Sequence, residues 1–244
     1  ATLEGEVAIV TGAAAGLGAA IADALESEGA RVARTDLAGT ELELDVRARE
    51  SVEAAVHEVT RTLGVASVLV NNAGVARIGQ AEELAESDWG EVVEINLTGA
   101  FRCARVVGRL MLEAGGGSIV NVSSILGMVG APGRAAYCAT KSGLVGLTRV
   151  LALDWAARSV RVNAVCPGYA RTPMVEAVVA AGHLFEADIR SRTPGARLVE
   201  PSEVGRAVVF LSSPDASFIT GQTLVVDGGY LAYGAPSILH QPTV

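Results

Sequence analysis

Aromatic side chains are scarce: Phe, Trp and Tyr together make up 4% of the residues. The core therefore has to be built from Ala, Val, Leu and Ile, which are plentiful. Cysteine is scarcer still. Cys103, Cys138 and Cys166 are odd in number and show no CxxC spacing. That pattern argues against a disulfide framework and against a zinc site, so no metal is expected. Three reduced, mostly buried thiols suit a cytoplasmic protein.

Positive charge is also in deficit, with 19 Lys and Arg against 27 Asp and Glu and a formal net charge of −8. Sequence-independent nucleic-acid binding needs a basic face that displaces counterions, so nucleic acid is not an expected partner. Arg102, Arg105 and Arg109 read as one solvated helix face. A membrane span needs about 18 consecutive apolar residues, whereas the apolar runs here are shorter and broken by Gly, Arg or Asp. No membrane association is expected. Thr2, Glu4 and Glu6 precede the first strand, and no signal peptide is expected.

What is present is a hydrophobic half of the 244 residues. At this length roughly 70% or more of the unfolded surface can be buried, enough for one large α/β domain with a concave site. Strand-like runs at Val7–Val10, Arg31–Thr35, Val68–Val70, Ile119–Val122, Arg161–Val165 and Thr223–Val226 alternate with helical spacing. The helices read as Gly16–Glu28, Ser51–Leu63, 88–113, Tyr137–Arg158 and Pro201–Leu211, with a less regular helical insert at Pro173–Arg192. Such alternation, with no linker and no repeat beyond it, implies one doubly wound domain with a parallel sheet covered on both faces.

Thr11–Gly18 lies between the first strand and the first helix, and its glycines permit a tight turn that lets backbone approach a pyrophosphate at a helix N-terminus. Asp36 follows strand two 18 residues after Gly18, close to the offset at which an acidic side chain holds ribose hydroxyls. Asn71-Asn72-Ala73-Gly74 follows strand three. Tyr137 and Lys141 stand four apart at the start of a helix, so both lie on one face. A free tyrosine titrates near pH 10, too high for a base at neutrality, and a neighbouring ammonium favours the phenolate. Ser124, 13 residues upstream of Tyr137, follows strand four at the carboxyl edge of the sheet, with Ser123 as a competitor of opposite parity.

TGxxxGxG, NNAG, Ser, YxxxK and a late PG, in this order from about residue 3 to 230, resemble the short, single-domain branch of the short-chain dehydrogenase/reductase family. The resemblance implies a Rossmann-like domain in which Gly12, Gly16, Leu17 and Gly18 line the cofactor phosphates and Asp36 binds the adenosine ribose. It implies that Asp45 and Val46 meet the adenine, flanked by Asn72, Ala73 and Gly74. It selects Ser124 by its spacing to Tyr137, and adds Asn96 as the fourth catalytic residue, holding a water that relays protons to Lys141. Pro167, Gly168, Ala170 and Thr172 would close on the nicotinamide, Thr172 reaching its carboxamide. Tyr137 would exchange a proton with an alcohol or ketone substrate as hydride moves, while Lys141 holds ribose hydroxyls and lowers the Tyr137 pKa. The family also implies a homotetramer using the two long helices.

The expected cofactor is NAD. Family members that prefer NADP usually carry a basic residue where this chain has Ala14, Ala15 or Leu37, and Asp36 would repel a 2′-phosphate. Arg34 shares the parity of Asp36 and could neutralise it. Substrate walls are expected from Ile125, Leu126, Met128, Pro132, Tyr169 and the insert acting as a lid, with His183 on its surface. The tail from Tyr230, with Tyr233, Ile238, Leu239 and His240, is expected to pack on a neighbouring subunit. Competing readings are a 3-oxoacyl-type reductase, an epimerase or dehydratase that retains its NAD, and an NAD(H)-sensing protein without turnover.

Overall fold

The computed structural model describes residues 2–234. Seven parallel strands form one sheet in the order β3-β2-β1-β4-β5-β6-β7. The strands are β1 (Val7–Thr11), β2 (Arg31–Asp36), β3 (Leu42–Glu43), β4 (Val68–Asn71), β5 (Gly117–Val122), β6 (Val160–Pro167) and β7 (Thr223–Val226). Six of them fall where the apolar runs predict; β3, two residues paired to the end of β2, is too short to leave a periodic signal.

Helices cover both faces. α1 (Gly16–Ser27) and α8 (Pro201–Ser212) pack on one side, while α2 (Arg49–Thr62), α4 (Ala100–Ala114) and α5 (Ala135–Trp155) pack on the other. Alternate residues of β1 serve the two layers, Ala8 and Val10 facing α1 and α8 and Val7 and Ile9 facing α2. Gly205 lets α8 lie against α1, since a Cβ there would meet the Ala24 Cβ at 2.8 Å and the Ala20 carbonyl at 2.9 Å. Small aliphatic side chains thus replace aromatic bulk by close approach of backbones.

The helix expected over 88–113 is in three parts: α3 (Glu86–Val93), a π-helical turn Glu94–Gly99, and α4. The wide turn contains Asn96. The insert folds as α6 (Pro173–Ala180) and α7 (Glu186–Arg192), with His183 exposed between them. Strand order reverses between β1 and β4, and the crevice for a ligand opens at their carboxyl ends.

Candidate active site

At that switch point the turn after β1 and the turn after β4 are fastened together. The Thr11 hydroxyl accepts from the N–H groups of Asn72 and Ala73 at 3.0 and 3.1 Å. The Asn72 amide donates to the carbonyls of Thr11 and Gly12 at 3.0 and 2.9 Å. Gly12 and Gly16 have positive φ, 68° and 61°, and a Cβ on Gly18 would lie 2.0 Å from the Gly12 carbonyl oxygen. Only glycine fits there. No side chain caps the N-terminus of α1 and no acid stands in its first turn, so its free N–H groups and positive dipole end face the cleft.

This cleft, about 340 Å³, is lined by Gly12, Gly16, Leu17, Gly18, Asp36, Val46, Asn72, Ala73, Gly74, Tyr137, Lys141 and Thr172, all named from the sequence. Asp36 is held at its rim by the N–H groups of Ala14 and Leu37, at 3.1 and 2.7 Å. Arg34 does not neutralise it: the guanidinium is paired with Asp23 and Glu26 at 2.6 and 2.7 Å, which hold its pKa above the ordinary arginine value. Strand parity gave the right face but not the direction of a long side chain. Asp45 is not itself among the lining residues: Arg47 bonds its carboxylate and holds its pKa below the usual range. Leu44 and Arg47 line the cleft beside Val46 instead.

At the other end, α5 presents Tyr137 and Lys141 one turn apart. The Lys141 ammonium donates to the Val122 carbonyl at 2.8 Å and lies 5.6 Å from the centre of the Tyr137 ring. Burial lowers the Lys141 pKa to about 8. Burial also raises that of Tyr137, opposed by the Ser124 hydroxyl beside it. The lowering of the Tyr137 pKa expected from Lys141 is therefore not reached by the protein's own groups, because desolvation of the phenolate outweighs them. Ser123 donates to the Lys141 carbonyl at 2.8 Å, fixing the helix rather than facing the phenol.

Asn96 is buried, its amide exchanging two hydrogen bonds with the Val75 backbone at 2.8 and 2.9 Å. Gly74 lies between it and Lys141; a Cβ there would sit 3.2 Å from Asn96 Oδ1 and 3.5 Å from Lys141 Nζ. The bare Cα brings the two side chains to one space. Thr172 caps α6 through the Val175 N–H at 3.4 Å. Gly168 lines a second, adjoining cavity, whereas Pro167 ends β6 and buried Ala170 pairs with Val199, outside both linings.

That second cavity, about 90 Å³, continues from Tyr137 and Ser124 to Ile125, Leu126, Tyr169 and the insert residues Met174, Val175, Val178 and Leu184. Met128 and Pro132 are not among its walls; both are exposed, beyond the helical turn Ile125–Gly127 that carries the apolar wall. Arg134 and Ala76, unremarked in the sequence, take part instead. Tyr230 packs edge-on against Tyr169 at 5.8 Å, and the Arg192 guanidinium lies over the Tyr230 ring at 5.3 Å. The remaining tail side chains Ile238, Leu239 and His240 lie outside the described residues. Among the described residues no group of acids, histidines and cysteines could hold a metal ion, and no helix is long and apolar enough to cross a membrane.

A glycine turn at an uncapped helix N-terminus, leading to a phenol, a hydroxyl and an amine, suits the movement of a proton beside a hydride, the work of an oxidoreductase of the nicotinamide-nucleotide class. The family model described as "Enoyl-(Acyl carrier protein) reductase" matches residues 12–231. A D-threitol dehydrogenase of Mycolicibacterium smegmatis is 42% identical over 93% of this chain and 94% of its own length. A cis-4-hydroxycyclohexanecarboxylate dehydrogenase of Sinomonas cyclohexanicum is 43% identical over 93% of this chain and 96% of its own. Among solved structures, a gluconate 5-dehydrogenase from Burkholderia cenocepacia in complex with NADP and tartrate superposes with a TM-score of 0.90 at 32% identity, covering 95% of this chain and 97% of that one. The chain belongs to the short-chain dehydrogenase/reductase family. It is an oxidoreductase acting on CH–OH groups and the ketones they form.

Proposed function

We propose that the protein is a cytoplasmic, NAD-dependent dehydrogenase that interconverts a secondary alcohol and its ketone, the alcohol being a polyol or a hydroxylated ring. One observation carries this reading: buried Ser124 and Lys141 and half-buried Tyr137 converge where the glycine-lined cleft meets the smaller apolar cavity. Relatives that act on threitol and on a hydroxylated cyclohexane ring point to the same substrate chemistry. A 3-oxoacyl-[acyl-carrier-protein] reductase of Vibrio cholerae, 39% identical over 93% of this chain, is the basis of the competing reading.

The cleft fits the cofactor on its own geometry. The uncapped α1 terminus and the bare Gly12, Gly16 and Gly18 would hold its phosphates, and Asp36 its adenosine ribose. Bound NAD supplies the hydride acceptor and a positive ring charge close to Tyr137. Asp36 would repel a 2′-phosphate, and Arg47 of the lining is committed to Asp45. NAD is therefore favoured over NADP, by at least about tenfold in kcat/KM.

Ser124 and Tyr137 would hydrogen-bond the substrate oxygen. In oxidation the phenolate of Tyr137 takes the hydroxyl proton; in reduction the phenol returns it. Ionising Tyr137 near neutrality takes at least about three pKa units, or roughly 4 kcal/mol, to which burial adds; the cofactor's charge would have to supply it together with Lys141. Asn96, across the bare Cα of Gly74 from Lys141, would hold a water that connects Lys141 to solvent. Exposed Val150 and Leu153 on α5 and Phe101 on α4, with open space over Gly146, support a homotetramer joined by these helices.

The deciding experiment is a panel of polyols, cyclic secondary alcohols and 3-oxoacyl thioesters, followed by the absorbance of reduced nicotinamide with NAD and NADP in parallel. Oxidation of an alcohol with NAD is the expected result. Turnover confined to 3-oxoacyl substrates, or substrate conversion without net change in the nicotinamide, would overturn it.

A further inference from the structure

The smaller cavity has one group that hydride transfer does not use. Arg134 precedes Tyr137 by one turn at the start of α5 and forms part of the cavity wall. Its Nη1 is buried without a hydrogen-bond partner. Other arginines around the substrate end are engaged. Arg77 pairs with Glu91, Arg171 with Glu186 and Glu200, and Arg192 rests on the Tyr230 ring. No acidic side chain lines the cavity.

A guanidinium cannot shed its proton, and a buried N–H without an acceptor is destabilising. The arrangement persists most economically if a ligand supplies the acceptor. The charge of Arg134 reaches both phenols of the cavity, Tyr137 and Tyr169, and favours their ionised forms. The rest of the wall is apolar: Ile125, Leu126, Val175, Val178 and Leu184.

We propose that Arg134 is a specificity-determining residue and that the substrate is a hydroxy acid, its carboxylate held by Arg134 and its carbinol by Ser124 and Tyr137. This rests on the alcohol dehydrogenase reading above and narrows it. Residues three apart on a helix stand about 5–6 Å from each other, so a compact carbon body separates the two polar ends of the substrate and meets the apolar wall. A single guanidinium matches a carboxylate fork to fork, and no second cation lines the cavity for a dianionic phosphate.

The test compares cis-4-hydroxycyclohexanecarboxylate, its methyl ester and a phosphorylated cyclohexanediol as substrates of the full-length protein with NAD. The wild type should favour the acid over the ester by about tenfold or more in kcat/KM, the range of a hydrogen bond to a charged group. Arg134→Met should erase that ratio, chiefly through KM, while Arg134→Lys should keep part of it. An acid-to-ester ratio near one in the wild type, an unchanged ratio in R134M, or preference for the phosphate would each overturn the assignment. If no alcohol turns over with either nicotinamide, the dehydrogenase reading fails, and calorimetry decides Arg134 separately. Unreactive cyclohexanecarboxylate, titrated into protein with NADH, should bind the wild type at least about tenfold more tightly than R134M. Equal binding, or none, would overturn the role of Arg134.

Discussion

The two halves of the site are made differently. At the nucleotide end the walls are backbone, tied by the Thr11 hydroxyl and the Asn72 amide, with glycines that admit no Cβ. At the substrate end they are side chains, several from α6 and the turn that follows it, where Met174 is 45% and Phe185 is 61% exposed. Backbone fastened to backbone defines one ligand shape; side chains on a loosely packed insert can be exchanged without disturbing the sheet. The cofactor half is thus rigid by construction, and the substrate half is where members of one family can diverge.

The sharpest test of that contrast is its meeting point. Tyr137→Phe should lower kcat by about 10²–10⁴-fold, the usual worth of a positioned acid–base, with NAD affinity by calorimetry nearly unchanged. Gly18→Ala should fall on both stability and cofactor binding, since its Cβ would lie 2.0 Å from a carbonyl oxygen; overpacking of this kind is worth about 1–3 kcal/mol, read as a lower Tm and weaker NAD binding. Leu184→Ala, between α6 and α7 of the insert, should instead raise KM for the alcohol several-fold, leave KM for NAD alone, and shift stability by under about 1 kcal/mol. If Leu184→Ala weakened NAD as much as Gly18→Ala did, the division into rigid and exchangeable halves would be wrong.

A separate expectation concerns pH. Lys141 has a folded pKa of about 8, below its unfolded value of about 10.4. Between those values the unfolded chain binds the extra proton, so stability contributed at this position rises with pH across that window. The Tm of the wild type should therefore gain on that of Lys141→Met between pH 8 and about 10. A constant difference across the range would show that Lys141 keeps an ordinary pKa.

Much of this architecture could be read in the sequence because parallel strands buried on both faces are written as short apolar runs, and glycine turns as fixed spacings. Six strands and the grouping of Tyr137, Lys141, Gly74 and Asp36 around one cleft follow from such patterns. Features that depend on side-chain direction or on desolvation were not legible. Parity put Arg34 on the face of Asp36, but Asp23 and Glu26 on α1 draw it away. Pairing with Lys141 promised an acidic Tyr137, but burial acts on both groups. The π-helical turn around Asn96 has no periodic signature of its own. Arg134 resembles any polar residue before a helix, and its only signal was its place one turn before Tyr137.

The ion pairs of Arg34 have a consequence for redesign. A positive charge already stands one strand step from Asp36, locked by two acids that belong to α1 rather than to the cofactor cleft. Changing Asp36 alone would remove a repulsion without providing an attraction. Changing Asp36 together with both Asp23 and Glu26 would free a native arginine two residues along the strand from the Asp36 position, so a switch of coenzyme would draw on a charge the chain already carries.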